Sequence, residues 1–256
     1  MGKHSAEVDM ANSPARDAMD LIDELSQCAT EADTNNLTRE IVELLGAQSF
    51  VYTTLLPPDF HGEDGDLRFF IGCKPDLCSI YHKRMWIMND PFFDYARTNS
   101  NPIIGSKIRL QTSGQVEMMR VSAEHGFRSG LVVPTHTSMN ASMRMGLLYI
   151  GLDLPEEIGE PILWGQRVKF GALGMELLLW WSNRMRQQAM RKYSLIDDEV
   201  DMLQLSKKGM VATEIAALLD LKTTAVYRKL NTIKEKLDVD KLEQAVKLAE
   251  SVGLLG

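Results

Sequence analysis

Apolar positions along the chain follow helical spacing, then strand alternation, then helical spacing again. Within ARDAMDLIDELSQCAT at 15–30, Met19, Leu21, Ile22, Leu25 and Cys28 fall on one helical face. A second helix, LTREIVELLG, is expected to start at a Thr34 or Asn36 cap and to end at Gly46. SFVYTTLL at 49–56 and LRFFIG at 67–72 read as strands, and the breaker-rich PPDFHGEDGD between them reads as a loop. The segment 75–89, with Tyr81 and Trp86, is expected to be helical in part. Asp90-Pro91 interrupts it, because a residue before proline is pushed out of the helical region. NSNPIIGSK reads as a polar loop and QTSGQVEMMRVSAEH at 111–125 as a helix. GLVVPT at 130–135 and MRMGLLYIGL at 143–152 read as strands on either side of a turn-rich HTSMNAS. A long helix is expected over about 160–191, with Ile162, Val168, Leu173, Leu177, Leu178 and Trp181 on its apolar face. Helices, then strands, then a long helix predict an α+β unit whose antiparallel sheet is covered by helices.

The stretch AEHGFRSGLVVP at 123–134 joins a helix to a strand in this scheme. Gly126 is expected to end the helix in the left-handed conformation, and Gly130 to open a buried strand where a side chain would crowd its neighbours. The spacing is G-x3-G without a leading strand, which does not fit a nucleotide cradle. The stretch reads as scaffold.

The last sixty residues have a shorter period. Four helices fit within 196–253. Asp197, Asp198 and Glu199 suit the start of the first, which carries Val200, Leu203 and Leu205 inward and ends at Gly209. VATEIAALLD places Ile215, Ala216 and Leu219 inward. A turn at Leu221-Lys222 leads into TTAVYRKLNTIKEKL, where Val226, Leu230, Ile233 and Leu237 make one apolar stripe. Its other faces offer Tyr227, Arg228, Lys229, Asn231, Lys234 and Lys236. A final helix, KLEQAVKLAESV, ends at Gly253. Two short helices joined by a tight turn, with the second basic on its outer side, form a helix-turn-helix that can enter a major groove. A solvated lysine face on a plain helical bundle reads equally well from these residues alone.

Charge adds little to that choice. The net charge is −7, yet residues 191–256 balance 11 Lys/Arg against 11 Asp/Glu, so the whole excess lies upstream. A neutral module binds DNA only if its cations face one way. With 45% hydrophobic and 25% charged residues the composition is that of a globular protein. No apolar run is long enough to span a bilayer, and MGKHSAEVDMANSPARD lacks the apolar core of a signal peptide. Cys28, Cys73 and Cys78 are expected to be reduced, and the C-x4-C pair has no second cluster to complete a metal site. His61, His82, His125 and His136 are scattered, and Ser129 beside His125 and Glu124 makes no triad by sequence proximity alone. An enzyme is not expected.

The C-terminal segment resembles the DNA-binding domain of LuxR-type transcriptional regulators. Leu195, Glu199, Leu203, Gly209, Glu214-Ile215-Ala216, Leu219, Val226, Leu230, Ile233, Lys236-Leu237, Ala245 and Ala249 carry the likeness. GFRSGLVVP resembles the strand entry of the autoinducer-binding domain in the quorum-sensing branch of that family, and Tyr81 nine residues before Asp90-Pro91 matches a second landmark. The resemblance covers all but about the first fifteen residues. It implies an α-β-α sandwich with an antiparallel sheet at 16–188 and a linker at 189–194. A small all-α four-helix domain of the helix-turn-helix type then fills 195–256, and a flexible segment occupies 1–15.

It also implies a ligand, an acyl-homoserine lactone or another small molecule, and no cofactor. Tyr52, Tyr81, Trp86, Asp90 and Phe92 are the expected cavity residues. Asp90 would receive the ligand amide N–H, or else cap the helix after Pro91. Thr223, Thr224, Tyr227, Arg228, Lys229, Asn231 and Lys234 are the expected DNA contacts. The expected partners are double-stranded DNA, a second copy of the chain and RNA polymerase, in the cytoplasm and without a membrane.

Several positions depart from the family. Leu77 stands where a tryptophan would donate to a lactone carbonyl, Ile104-Gly105 where a second tryptophan is expected, and Gly146 where a small polar residue often grips the ligand. Phe69, Phe70, Phe92, Phe93 and Met145 are bulky enough to close the cavity altogether. In the C-terminal part Ile196 replaces a threonine cap, Ala225 a threonine and Lys229 a histidine. The long helix, with Trp164, Phe170, Trp180 and Trp181, is the expected dimer contact, together with the terminal helix at 241–252.

Overall fold

The computed structural model describes residues 16–55, 68–137 and 145–255. The 1–15 segment, residues 56–67 with the whole 57–66 loop and His61, and residues 138–144 lie outside the described residues.

α1 (Ala18–Glu24) begins at an Asp17 cap and runs into a short 3-10 turn at Leu25–Gln27. α2 spans Glu31–Leu44. Its cap is Thr30, whose hydroxyl accepts from the Asp33 N–H at 3.1 Å, and not Thr34 or Asn36. Thr34 and Thr38 are instead buried within the helix, where each hydroxyl donates to the carbonyl four residues back. β1 (Ser49–Leu55) and β2 (Arg68–Gly72) follow, then α3 (Pro75–Lys83), a 3-10 turn at Trp86–Asn89 and α4 (Pro91–Thr98). The expected polar loop at 99–107 contains a two-residue strand, β3 (Ile103–Ile104), and a 3-10 turn. Next come α5 (Ser113–Glu124), β4 (Ser129–His136) and β5 (Met145–Leu152).

The long helix is two. α6 (Glu156–Gly165) contains Pro161 and stops after Gly165, and α7 (Arg167–Lys192) restarts one residue later. Gly165 is a poor helix residue, and Gln166, at φ −99° and ψ 4°, caps one helix and opens the next.

The five strands form one antiparallel sheet in the order β2-β1-β5-β4-β3. Alternation sorts its side chains onto two faces. Phe50, Tyr52, Phe70, Leu148 and Ile150 join α1, α2 and α7 in one core. Val132, Met145, Leu147 and Tyr149 join α3, α4 and α5 in another. The outer edge of β2 is covered: the Asn35 side chain accepts from the Ile71 N–H at 2.9 Å and donates to its carbonyl at 3.2 Å.

The junction at 123–134 is scaffold, as its spacing predicts. Gly126 has φ +101°, and the Phe127 N–H returns to the Ser122 carbonyl at 3.0 Å to close the end of α5. Gly130 lies under the Tyr149 ring, where a Cβ would come within 2.6 Å of the hydroxyl.

α8 (Asp197–Lys207), α9 (Ala212–Leu218), α10 (Thr223–Lys236) and α11 (Leu242–Ser251) gather around a third core, which includes Leu203, Ile215, Val226, Leu230 and Ile233. Leu219 faces solvent instead, at 36% exposure. Without a threonine, the start of α8 is closed from the other side, by the Glu199 carboxylate accepting from the Ile196 N–H at 3.0 Å. α7 ends in the same core through Ala189, so the 189–194 boundary falls across its last turn. Among the described residues no helix is long and apolar enough to cross a membrane.

Candidate functional site

A cavity of about 540 Å³ lies between the sheet and α3, α4 and α5. Its floor is Val51 and Thr53 of β1, Phe69 of β2, and Leu147 and Tyr149 of β5. Its walls come from Leu77, Cys78, Tyr81 and His82 of α3, from Met85, Ile87 and Asp90 leading into α4, and from Phe92, Phe93, Met118 and Ser122. The bulky residues therefore do not close it. Phe70 sits on the opposite face of the sheet, stacked at 5.2 Å on Trp181, and Met145 is buried at the far end of β5.

Asp90 is the polar centre. Pro91 forces it out of helical geometry, so it becomes the cap of α4, and its Oδ1 accepts from the Phe92 N–H at 2.7 Å. Its Oδ2 accepts from the Tyr81 hydroxyl, also at 2.7 Å. One carboxylate thus caps the helix and lines the cavity. Burial, at 6% exposure, pushes its pKa up to about 6 despite those hydrogen bonds. Burial also raises the Tyr81 phenol, with the Asp90 charge adding to the effect. A carboxylate has room for further donors beyond these two.

Of the five expected cavity residues, Tyr81, Asp90 and Phe92 line it. Tyr52 does not. It alternates with Val51 and Thr53, so it faces α7, where its hydroxyl lies against Gly146 and Thr135. Gly146 lies on that same face, so its missing side chain takes nothing from the cavity, and Leu147 holds the cavity-facing place. Trp86 stands behind the wall, edge-on to Tyr81 at 6.1 Å, with the Arg84 guanidinium 5.4 Å from its ring centroid. Leu77 does line the cavity, so no indole donor is offered there. Sequence reasoning missed Val51, Thr53, Leu147 and Tyr149, which period-2 alternation from Asp90's side of the sheet would have found. Cys78 also lines the cavity, with its sulfur 4.0 Å from that of Cys73. The hydrogen bond between the two sulfurs holds the Cys78 thiol below its usual range, while that same pairing and burial raise Cys73.

The second surface is α10. Val226, Leu230, Ile233 and Leu237 turn inward. Thr224, Tyr227, Arg228 and Asn231 are exposed at i, i+3, i+4 and i+7, so they share one outer face. Thr223, Lys229 and Lys234 are half-buried beside it. The Lys229 ammonium meets Asp198 at 3.4 Å, and Lys236 turns away from this face to Glu199 at 2.7 Å. Arg228 has no ion pair among the described residues. Asp220, at φ +51°, makes the tight turn that sets α9 against α10.

Comparison with known proteins places this arrangement. Residues 30–178, more than half the chain, match the family described as the autoinducer binding domain. The chain is 24% identical over 203 residues to the transcriptional activator protein AhyR of Aeromonas hydrophila, covering 73% of this chain and 72% of that one. The same figures hold for the transcriptional activator protein AsaR of Aeromonas salmonicida. Its fold is similar to that of SdiA of Escherichia coli, with a TM-score of 0.57 and 16% identity over 93% of this chain and 97% of the other. A structure of SdiA in complex with octanoyl-rac-glycerol gives a TM-score of 0.56 and 14% identity over 92% and 93%. These relatives are regulators and not enzymes, and the chain belongs to the autoinducer binding domain family of LuxR-type transcriptional regulators.

Proposed function

We propose that the chain is a homodimeric, ligand-responsive regulator that reads promoter DNA in the cytoplasm. α9 and α10 serve as the helix-turn-helix, with α10 in the major groove. The observation that carries this reading is the outer face of α10, where Thr224, Tyr227, Arg228 and Asn231 stand together and exposed. Arg228 suits a phosphate or a guanine edge, and Asn231 an adenine edge. Thr223 and Lys234 flank that face, and Lys229 reaches it by leaving an exposed carboxylate, which costs little. The relatives' description as activators supports a further contact with RNA polymerase.

The ligand enters the cavity around Tyr81, Asp90 and Phe92. Its predominantly apolar walls suit an acyl chain, and Asp90 accepts an N–H or O–H from the polar end. An acyl-homoserine lactone and an acylglycerol, the kind of ligand in the SdiA complex, both offer that combination. Fluorescence anisotropy with DNA from upstream of the regulated gene tests the DNA reading. Arg228→Ala should weaken binding, lower the salt slope by about one and leave the thermal midpoint unchanged. Equal affinity and slope for the variant would remove α10 from the groove.

A further inference from the structure

Two of the three cysteines meet at the cavity wall. Cys73 follows Gly72, whose pairing with Phe50 is the last rung between β1 and β2, so it sits past the ladder and before α3. Cys78 lies in the first half of α3 and lines the cavity, and Cys73 is not among the lining residues. Their sulfurs are 4.0 Å apart, close enough for one S–H to donate to the other. A disulfide needs about 2.05 Å, and side-chain rotation at two half-buried positions, one of them outside the regular elements, can cover that difference. Cysteine used as a small core hydrophobe is normally buried, whereas both of these stay partly open. The hydrogen bond that lowers the Cys78 thiol makes it the more reactive of the pair. Cys28 is apart from both. It packs against the core on the other face of the sheet, and burial raises its thiol.

We propose that Cys73 and Cys78 are a modification site, a dithiol that hydrogen peroxide closes to a disulfide at the cavity wall. The Cys78 sulfur attacks one peroxide oxygen, the O–O bond breaks, and the oxygen that leaves takes up the thiol proton as water. The Cys73 sulfur then attacks the sulfenic sulfur of Cys78, the S–O bond breaks, and a second water carries away the Cys73 proton. Two thiols lose two electrons, and one peroxide becomes two waters. The new bond draws the Cys78 sulfur from the cavity wall toward Cys73, so the wall differs between the reduced and the oxidised chain. This chemistry does not depend on the cavity holding a ligand, but a ligand seated there would cover Cys78.

Peptide mass spectrometry on the full chain tests this, after brief treatment of the reduced protein with hydrogen peroxide and alkylation of the remaining thiols. Trypsin does not cut Lys74-Pro75, so both cysteines stay in one peptide, 69–83. In wild type that peptide should lose two hydrogens and resist alkylation, at least about tenfold faster than Cys28 is oxidised, and dithiothreitol should restore it. Cys73→Ser should leave Cys78 as a sulfenic acid that dimedone traps, with Cys73→Ala behaving alike. Cys78→Ser should slow the reaction of Cys73 to the rate of Cys28. A 69–83 peptide that keeps two alkylatable thiols when Cys28 is already oxidised would overturn the site, as would its passage straight to sulfinic acid or into a link between two chains. N-octanoyl homoserine lactone at saturation should slow the closure severalfold, since only the unliganded chain leaves Cys78 open. A lactone that binds by calorimetry and gives no protection would move the oxidation away from the cavity wall. A wild type that binds no lactone and still closes the disulfide would count against the ligand reading and support this one.

Discussion

Asp90 serves the fold and the cavity at once, and its titration separates the two roles. Its pKa rises from 3.8 to about 6 because burial disfavours the charge more than Tyr81 and the α4 backbone favour it. Between those values the folded chain keeps a proton that the unfolded chain has lost. Stability therefore falls as pH rises from about 4 to 6 and stays lower above, by up to about 3 kcal/mol for a shift of this size. Asp90→Asn keeps a capping side chain without the charge. Urea denaturation across pH 4–7 should show wild type losing stability relative to that variant within this window, and a difference independent of pH would contradict it. Gly130 makes the neighbouring case in steric terms. A Cβ there would sit 2.6 Å from the Tyr149 hydroxyl and 2.7 Å from its ring, and the ring is held between two phenylalanines. Gly130→Ala should cost about 1–3 kcal/mol in thermal denaturation, and Tyr149→Leu in the same chain should restore much of it.

The elements divide by how local their causes are. β1, β2, β4 and β5 were legible because alternation and turn residues are local, and so were α8 to α11, whose apolar stripes are short and clean. α2 was misplaced at its start because Thr30, Thr34 and Asn36 are all acceptable caps, and only the sheet beneath decides that Thr34 must be buried. α6 and α7 merged in the sequence because apolar spacing continues across Gly165, while the break reflects backbone geometry at Gln166. In the site, Asp90 and Tyr81 were found through the resemblance, as a tyrosine nine residues before an Asp-Pro pair, and both line the cavity. Tyr52 was misplaced, because its type suits a cavity and only the register assigns its face. Lys236 shows the same limit, since it reads as part of a basic surface yet pairs at 2.7 Å with Glu199, whose side chain is 8% exposed. Lys236→Met would leave that carboxylate buried with only the Ile196 N–H. It should cost the α8–α11 unit about 2–3 kcal/mol by chemical denaturation, where Lys234→Met at the neighbouring position should cost less than 1.

At the scale of the whole molecule, α7 links the two ends. Its 26 residues span about 39 Å, with Leu173, Leu177, Trp180 and Trp181 in the core beside the sheet and Ala189 in the core of α8–α11. Burial of Phe170, Trp180 and Trp181 inside the chain removes three of the four aromatics that first suggested a dimer contact. The apolar surface that α7 leaves exposed lies on its other side. Val168, Met175 and Leu179 are 73%, 37% and 42% exposed at i, i+7 and i+11, one continuous stripe, and α6 adds Ile158 and Ile162 one turn apart. An apolar stripe of that length on a monomer is a contact surface in waiting. A second copy is the occupant that also suits the DNA face, because two copies of α10 related by a two-fold axis can read two half-sites one helical turn apart. Light scattering at micromolar concentration should give twice the chain mass for wild type and the single-chain mass for Val168→Asp combined with Leu179→Asp. Neither position is among the described residues that line the cavity, so the double variant should bind N-octanoyl homoserine lactone as wild type does. Its affinity for a two-half-site DNA should drop toward that for a single half-site. A wild-type chain that scatters as a monomer, or a double variant that remains dimeric, would place the dimer contact elsewhere or remove it.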